Sequence, residues 1–250
     1  MNEQALEGKI ALVTGGGGGI GSAICRRLAA AGATLVINYN SDRAKAAMVL
    51  QSLAPGNHVL IQASVTDSAA LTHMAAQVAD RYGALDILVN NAGITRPVPH
   101  VDLDGLDDGL IDRIFQTNVR GAFAAVRAFK DLLLVGDGGT VINISSIAAL
   151  TGVGSNVAYC ASKAAMDSLT RSLARALAPK IRVVSVAPGW VWGDYASRME
   201  PAYIQEQIDK TPLNRIAQPE DVAEAVFAVA TQLLFSTGCI IPVDGGRPLL

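Results

Sequence analysis

The sequence predicts an α/β fold: a doubly wound, mostly parallel sheet of about seven strands with helices on both faces. Two observations predict it. Short apolar runs rich in Val, Ile and Leu alternate with longer stretches of helical periodicity from residue 9 to the C-terminus, and repeated crossovers of that kind bring strands together in parallel. The polar motifs gather where the apolar runs end, which is where ligands bind in such sheets. Half of the 250 residues are hydrophobic, enough for a core that covers both faces. No Pro/Ser/Gly-rich or charged linker interrupts the alternation, so residues 1–250 read as one domain rather than two small ones.

Residues 9–13 (KIALV) read as a short buried strand that runs into TGGGGGIG, residues 14–21. The next stretch, SAICRRLAAAG, has helical periodicity and stops at Gly32, a natural cap position. Strand, glycine loop and helix turn backbone N–H groups and a helix N-terminus toward an anion, and glycine lets a pyrophosphate approach the backbone closely. Five consecutive glycines leave two registers open. Gly16, Gly18 and Gly21 fit G-x-G-x-x-G, while Thr14, Gly15, Gly19 and Gly21 fit T-G-x-x-x-G-x-G. A plain flexible linker would not be held between a buried strand and a helix. A strand follows over 34–39, a helix over 42–53, a strand over 58–63, and a helix over 67–82 opened by Asp67 as its cap. Residues 85–90 form a strand that ends in NNAG. A long helical stretch covers 108–135, TVINIS is a strand, 155–177 a helix and 181–187 a strand. Residues 195–210 are a loop-and-helix insertion, and helix 219–235 with strand CIIPVD closes the chain.

Tyr159 and Lys163 stand four residues apart, one helical turn, so phenol and ammonium share a face. A nearby cation favours the phenolate and pulls a tyrosine pKa down from about 10. Carbonyl reduction, or its reverse, needs such a general acid and base. Ser146 lies thirteen residues before Tyr159, at the end of TVINIS. Cys25, Cys160 and Cys239 are scattered and suggest no disulfide framework. His58, His73 and His100 lack metal-ligand spacing, so no metal is expected. A formal net charge of −2 without a basic cluster argues against nucleic acid or an anionic membrane as partner. No apolar run reaches the roughly 18 residues of a membrane span, and MNEQALEGK lacks the apolar stretch of a signal peptide. The expectation is a soluble, cytoplasmic protein.

With these residues in view, the chain resembles the short-chain dehydrogenase/reductase family over nearly its whole length. The matches are Thr14-Gly15-x3-Gly19-x-Gly21, Asn90-Asn91-Ala92-Gly93, Asn118 in QTNVRG, Ser146, Tyr159-x3-Lys163 and Pro188-Gly189. PLNRIAQPEDVA and TGCIIPVDGG also look like the family's C-terminal region. The chain is similar to the short single-domain branch with its 3-oxoacyl-(acyl-carrier-protein) reductase-like members. The extended branch usually adds a substrate domain for which this chain has no room. The resemblance implies a Rossmann fold and hydride transfer between a nicotinamide cofactor and a ketone/secondary-alcohol substrate.

Chemistry and resemblance together assign the residues. Tyr159 gives a proton to the carbonyl oxygen or takes it from an alcohol. Lys163 favours the phenolate and holds the nicotinamide ribose. Ser146 polarises the substrate oxygen. It is preferred to Ser145 because strand alternation separates neighbours and because the interval to Tyr159 matches the family. Asn118 either holds a water that links Lys163 to solvent or is a structural asparagine. The cofactor cleft takes Thr14, Gly15, Gly19, Ile20 and Gly21; Asn38, Tyr39 and Ser41; Ser64 and Val65; Asn91, Ala92 and Gly93; and Pro188 and Gly189, beside Tyr159 and Lys163.

Family members that prefer NAD carry an acid at the position of Tyr39. Here NYNSDR offers Asn38, Ser41 and Arg43 as partners for a 2′-phosphate, so NADP is favoured over NAD. Against this, the glycine loop holds no basic residue and Asp42 is close by. Two departures from the family stand out. Ser64 replaces the usual Asp or Asn of the adenine site, and Gly193 replaces a threonine that contacts the nicotinamide carboxamide. Trp190, Trp192 and Tyr195 crowd a substrate-loop region, residues 190–215. They form either an apolar wall for a hydrophobic or aromatic substrate or ordinary core packing. A catalytically quiet dinucleotide-binding sensor or scaffold is the other function this fold allows; the intact Ser146, Tyr159, Lys163 and Asn118 favour the enzyme. The apolar tail after an edge strand predicts a homotetramer, or else a dimer.

Overall fold

Alternate residues of a strand reach opposite faces of a sheet, and this chain fills both faces with hydrocarbon. The computed structural model describes residues 4–193 and 196–249. Its strands are β1 (Ile10–Val13), β2 (Thr34–Tyr39), β3 (Val59–Gln62), β4 (Ile87–Asn90), β5 (Gly139–Ile144), β6 (Ile181–Pro188) and β7 (Ile240–Val243). All pair in parallel, in the order β3-β2-β1-β4-β5-β6-β7. On one face Ala11, Val13, Leu35, Ile37, Val89 and Ile142 pack against α1 (Gly19–Ala30), α2 (Arg43–Ser52) and, late in the chain, the helix Pro219–Thr231. On the other, Leu12, Val36, Leu88 and Val141 meet α3 (Ser68–Tyr82) and the helix Ala122–Leu133.

The remaining helices are α4 (Asp108–Phe115), α5 (Ala122–Leu133), α6 (Ala148–Thr151), α7 (Val157–Leu177), α8 (Pro201–Asp209) and α9 (Pro219–Thr231). The helical stretch over 108–135 is broken in its middle by a wide π turn, Gln116–Gly121. Such a turn leaves no periodicity signature, and it sits where the buried Asn118 reaches out of the helix. Asp42 and Asp67 cap α2 and α3 by accepting backbone N–H bonds. The last helix stops four residues earlier than the apolar run suggests, because Leu233, Leu234 and Phe235 point to the surface. The insertion is one 3-10 turn, Ala196–Arg198, followed by α8 with Pro201 at its first position, where proline is well tolerated.

From β1 the chain moves outward to β2 and β3, then returns to lay β4 on the other side of β1. A crevice opens beyond the carboxyl ends of strands at such a reversal. The glycine loop after β1 and the NNAG segment after β4 meet there.

Candidate active site

The crevice is held together by Thr14. Its buried hydroxyl accepts from the N–H groups of Asn91 and Ala92, both at 3.0 Å, and donates to Val89 O at 3.2 Å. Asn91 returns the tie, its Nδ2 donating to Thr14 O at 3.0 Å and Gly15 O at 3.1 Å. Gly15 and Gly19 have φ of +63° and +47°, a region that favours glycine. A Cβ on Gly21 would stand 2.4 Å from Gly15 O, and one on Gly16 2.9 Å from the Ile37 methyl. Around Gly18 and Gly19 a Cβ would meet nothing within 4 Å. The glycines that geometry requires therefore include those of T-G-x-x-x-G-x-G, whereas Gly18 is extended and unconstrained. No side chain caps α1, and its first turn carries no acid. An open glycine surface at an uncapped helix N-terminus fits a pyrophosphate. Ile20, half-buried in that first turn, packs against the core.

Asn38 is not directed into the cleft. It is buried, its Oδ1 accepts from Gly15 N at 3.3 Å and its Nδ2 donates to Ala63 O at 2.9 Å. Both ends of the carboxamide brace the loop against β3, so the side chain cannot serve a 2′-phosphate. Tyr39 also turns inward, joining the apolar cluster with Ala46 and Val49. Ser41 and Arg43 are exposed beyond the end of β2, and Asp42 spends its carboxylate on Lys45 N. Ser64 Oγ lies 2.8 Å from Thr66 Oγ1, while Val65 packs on Gly121 of the π turn. Gly93 is exposed at the mouth, and a Cβ there would approach Asn118 Oδ1 at 3.3 Å. Pro188 O accepts from Ile147 N at 3.0 Å, and Gly189 packs so closely on Asp244 that a Cβ would come within 2.9 Å of its Cα.

Ser146, Tyr159 and Lys163 come together at the end of β5. The first turn of α7 is fixed by Asn156, whose Oδ1 accepts from Tyr159 N at 2.7 Å. The Ser146 hydroxyl, which accepts from Ala148 N at 3.2 Å and donates to Pro188 O at 3.5 Å, lies near enough to the phenol to favour its ionised form. Lys163 is buried, its Nζ donating to Ile144 O at 2.7 Å and lying 5.7 Å from the centre of the Tyr159 ring. The phenol pKa is raised, by burial first and by the neighbouring Cys160 thiol, against the Ser146 hydroxyl. This corrects the expectation of a value lowered by the lysine: withdrawal from water is the largest cause and sets the direction. Burial also brings Lys163 down to about 8, with Asp167 opposing.

Asn118 is fully buried. Its Oδ1 accepts from Ile94 N at 2.8 Å, and its Nδ2 donates to Ile94 O and Ser162 Oγ, both at 3.1 Å. The carboxamide clamps the segment after β4 to α7, which supports the structural reading of its side chain over the water-holding one. Trp190 stands edge-on to Tyr203 of α8, ring centres 5.6 Å apart. It lines a cavity of about 550 Å³ with Leu213, Pro242, Val243 and Leu249, a lining that includes none of Ser146, Tyr159 or Lys163. Trp192 is partly exposed, and its backbone N–H donates to Ala217 O at 2.8 Å. Tyr195 lies outside the described residues. The sequence reading passed over Ser162, Asn143, Thr170, Ser185 and Asp167, which form buried polar contacts behind the site. Asp167 had a signal, since it follows Lys163 by one helical turn.

A parallel doubly wound sheet with a glycine loop at its reversal and a Ser–Tyr–Lys group beyond β5 defines a short-chain dehydrogenase/reductase architecture. Residues 15–247 match the family model described as Enoyl-(Acyl carrier protein) reductase. The chain is 35% identical to the 3-oxoacyl-(acyl-carrier-protein) reductase FabG of Staphylococcus aureus over 242 residues, covering 95% of this chain and 97% of that one. It is 38% identical to versicolorin reductase stcU of Emericella nidulans over 259 residues, covering 96% of each. Among solved structures, the short-chain dehydrogenase/reductase SDR:Glucose/ribitol dehydrogenase from Brucella melitensis superposes with a TM-score of 0.91 at 31% identity, covering 99% of both chains. The chain belongs to the short-chain dehydrogenase/reductase family.

Proposed function

We propose that this protein is an NAD(P)-dependent oxidoreductase that interconverts a ketone and a secondary alcohol, with Tyr159 as general acid and base. The observation that carries the reading is the gathering of Ser146 and Tyr159 beside buried Lys163, whose Nζ lies 5.7 Å from the centre of the phenol ring, at the strand ends shared with the open Gly18–Gly19 surface. When bound, a nicotinamide supplies or accepts the hydride. In reduction the neutral phenol donates its proton to the substrate oxygen, and its raised pKa keeps that proton in place at neutral pH. Ser146 turns its hydroxyl to the same oxygen and steadies the charge that develops there. Lys163 holds the ribose hydroxyls and stabilises the phenolate that remains. Oxidation runs the same transfers backward.

NADP is favoured over NAD: Ser41 and Arg43 are exposed at the end of β2, and no acid stands at Tyr39, which is packed in the core. The substrate is a small-molecule carbonyl or alcohol, and the 3-oxo group named for the Staphylococcus relative supports a ketone. Residues 190–215 form its wall within a single catalytic domain spanning 1–250, and the protein works in the cytoplasm as a homotetramer. No helix among the described residues is long and apolar enough to cross a membrane.

The test is turnover of a ketone panel with NADPH and NADH by the wild type and by Tyr159→Phe. The variant should bind cofactor almost unchanged and lose about 10²–10⁴-fold in kcat/KM, the usual contribution of a general acid. Retention of most activity means a different proton donor. A wild type that binds dinucleotide and turns over no ketone returns the sensor reading, and a strong preference for NADH ends the NADP assignment.

A further inference from the structure

A carboxylate is an expensive way to fill a protein core. Asp167 nevertheless lies one turn beyond Lys163 on α7 and is only 9% exposed. Three neighbouring strands present polar side chains beneath this helix in one row. Asn90 of β4 stands in register with Asn143 of β5, and Asn143 with Ser185 of β6. Asn90 Nδ2 donates to Asn143 Oδ1 at 2.9 Å, and Asn143 Nδ2 donates to Thr170 Oγ1 at 2.8 Å. Thr170 Oγ1 lies 2.8 Å from Ser185 Oγ. All four are buried, and the row is bonded from within except at Asn90 Oδ1, which has no hydrogen-bond partner.

Asp167 belongs to this layer. From the residue after β5 and from β6 the hydroxyls of Ser145 and Ser185 act on its carboxyl and favour the charged form. The charges that act on it are Arg171 and Lys163, both on its own helix. Its Oδ1 has no hydrogen-bond partner, so hydrogen bonding alone does not explain the residue. Lys163 is in turn buried beside Tyr159, and Asp167, buried one turn along the same face of α7, opposes the effect of that burial. A buried ammonium gives up its proton readily unless an anion is near.

We propose that Asp167 is a positioning residue that keeps Lys163 charged and so sets the pH range in which the Tyr159–Lys163 pair holds both protons. For its kinetic readout this rests on the oxidoreductase reading above. A neighbouring negative charge makes the first proton loss from a coupled pair harder, whichever member gives it up. Removing the charge therefore moves that loss to lower pH.

The direct measurement is the pH titration of Lys163 in the full chain carrying ¹³Cε-lysine. The sequence has six lysines, and Lys163→Met identifies the signal. In Asp167→Asn the midpoint should fall by about one pH unit, the scale on which a close charge acts. The alkaline limb of kcat/KM for ketone reduction should fall with it. Asp167→Ser, smaller and still able to meet Ser145 and Ser185, should give the same shift and decides the matter if the asparagine variant does not fold. An unmoved Lys163 midpoint, with only lower stability or a rate loss uniform across pH, overturns the proposal and makes Asp167 a packing residue. If the wild type reduces no ketone, the enzyme reading fails while the lysine titration still decides the role of Asp167.

Discussion

Gly18 and Gly21, three residues apart, carry different burdens. A methyl at Gly21 would meet a backbone oxygen at 2.4 Å, whereas one at Gly18 would enter open space. Gly21→Ala should therefore lower stability by about 1–3 kcal/mol, as overpacking does, visible in denaturant or thermal unfolding. Gly18→Ala should leave stability within about 0.5 kcal/mol. It should weaken dinucleotide binding by roughly tenfold, about 1.4 kcal/mol, in a fluorescence titration. The reverse pattern would remove the assignment of Gly18 to the binding surface. The spacing of Ser146, Tyr159 and Lys163 was readable because it follows helix and strand geometry. The direction of Asn38 was not, since it depends on Gly15 and Ala63, contacts 23 and 25 residues away. The sign of the Tyr159 shift was misread for a related reason: a sequence displays charges but not burial.

At the scale of elements, the start of α7 matters most, because its first turn carries Tyr159. Asn156 caps that turn and also ties it to the segment after β4, its Nδ2 donating to Arg96 O at 2.8 Å. Asn156→Ala should cost about 1–2 kcal/mol, the upper part of the range for a lost cap. It should also lower kcat more than it raises KM, since the loosened turn holds the proton donor. A fully stable variant with unchanged kcat would show that α7 needs no such anchor. Strands and helices were legible wherever apolar periodicity was long. The π turn was not, because one wide turn around Asn118 barely disturbs a helical pattern. The end of α9 was misplaced because Leu233 to Phe235 are apolar yet exposed, and hydrophobicity alone cannot report which surface a residue faces.

Taken as a whole, the molecule ends its sheet on β7, with Leu234 and Phe235 exposed after α9. An uncovered edge with apolar neighbours favours association. Light scattering at micromolar concentration should return four times the 25.9 kDa chain mass; a value of one chain mass would rule out the proposed tetramer. The buried row of Asn90, Asn143 and Ser185 has a further effect on how the molecule is put together. Parallel strands made of Val, Ile and Leu can slide along one another with little change in hydrocarbon contact. In this sheet a slip of one residue would turn a carboxamide into the opposite apolar layer, and a slip of two would carry it away from Thr170. The row acts as an alignment key during folding: it penalises mispaired strands with stranded polar groups, and its Asn90–Asn143–Thr170–Ser185 bonds form when β4, β5 and β6 are in register.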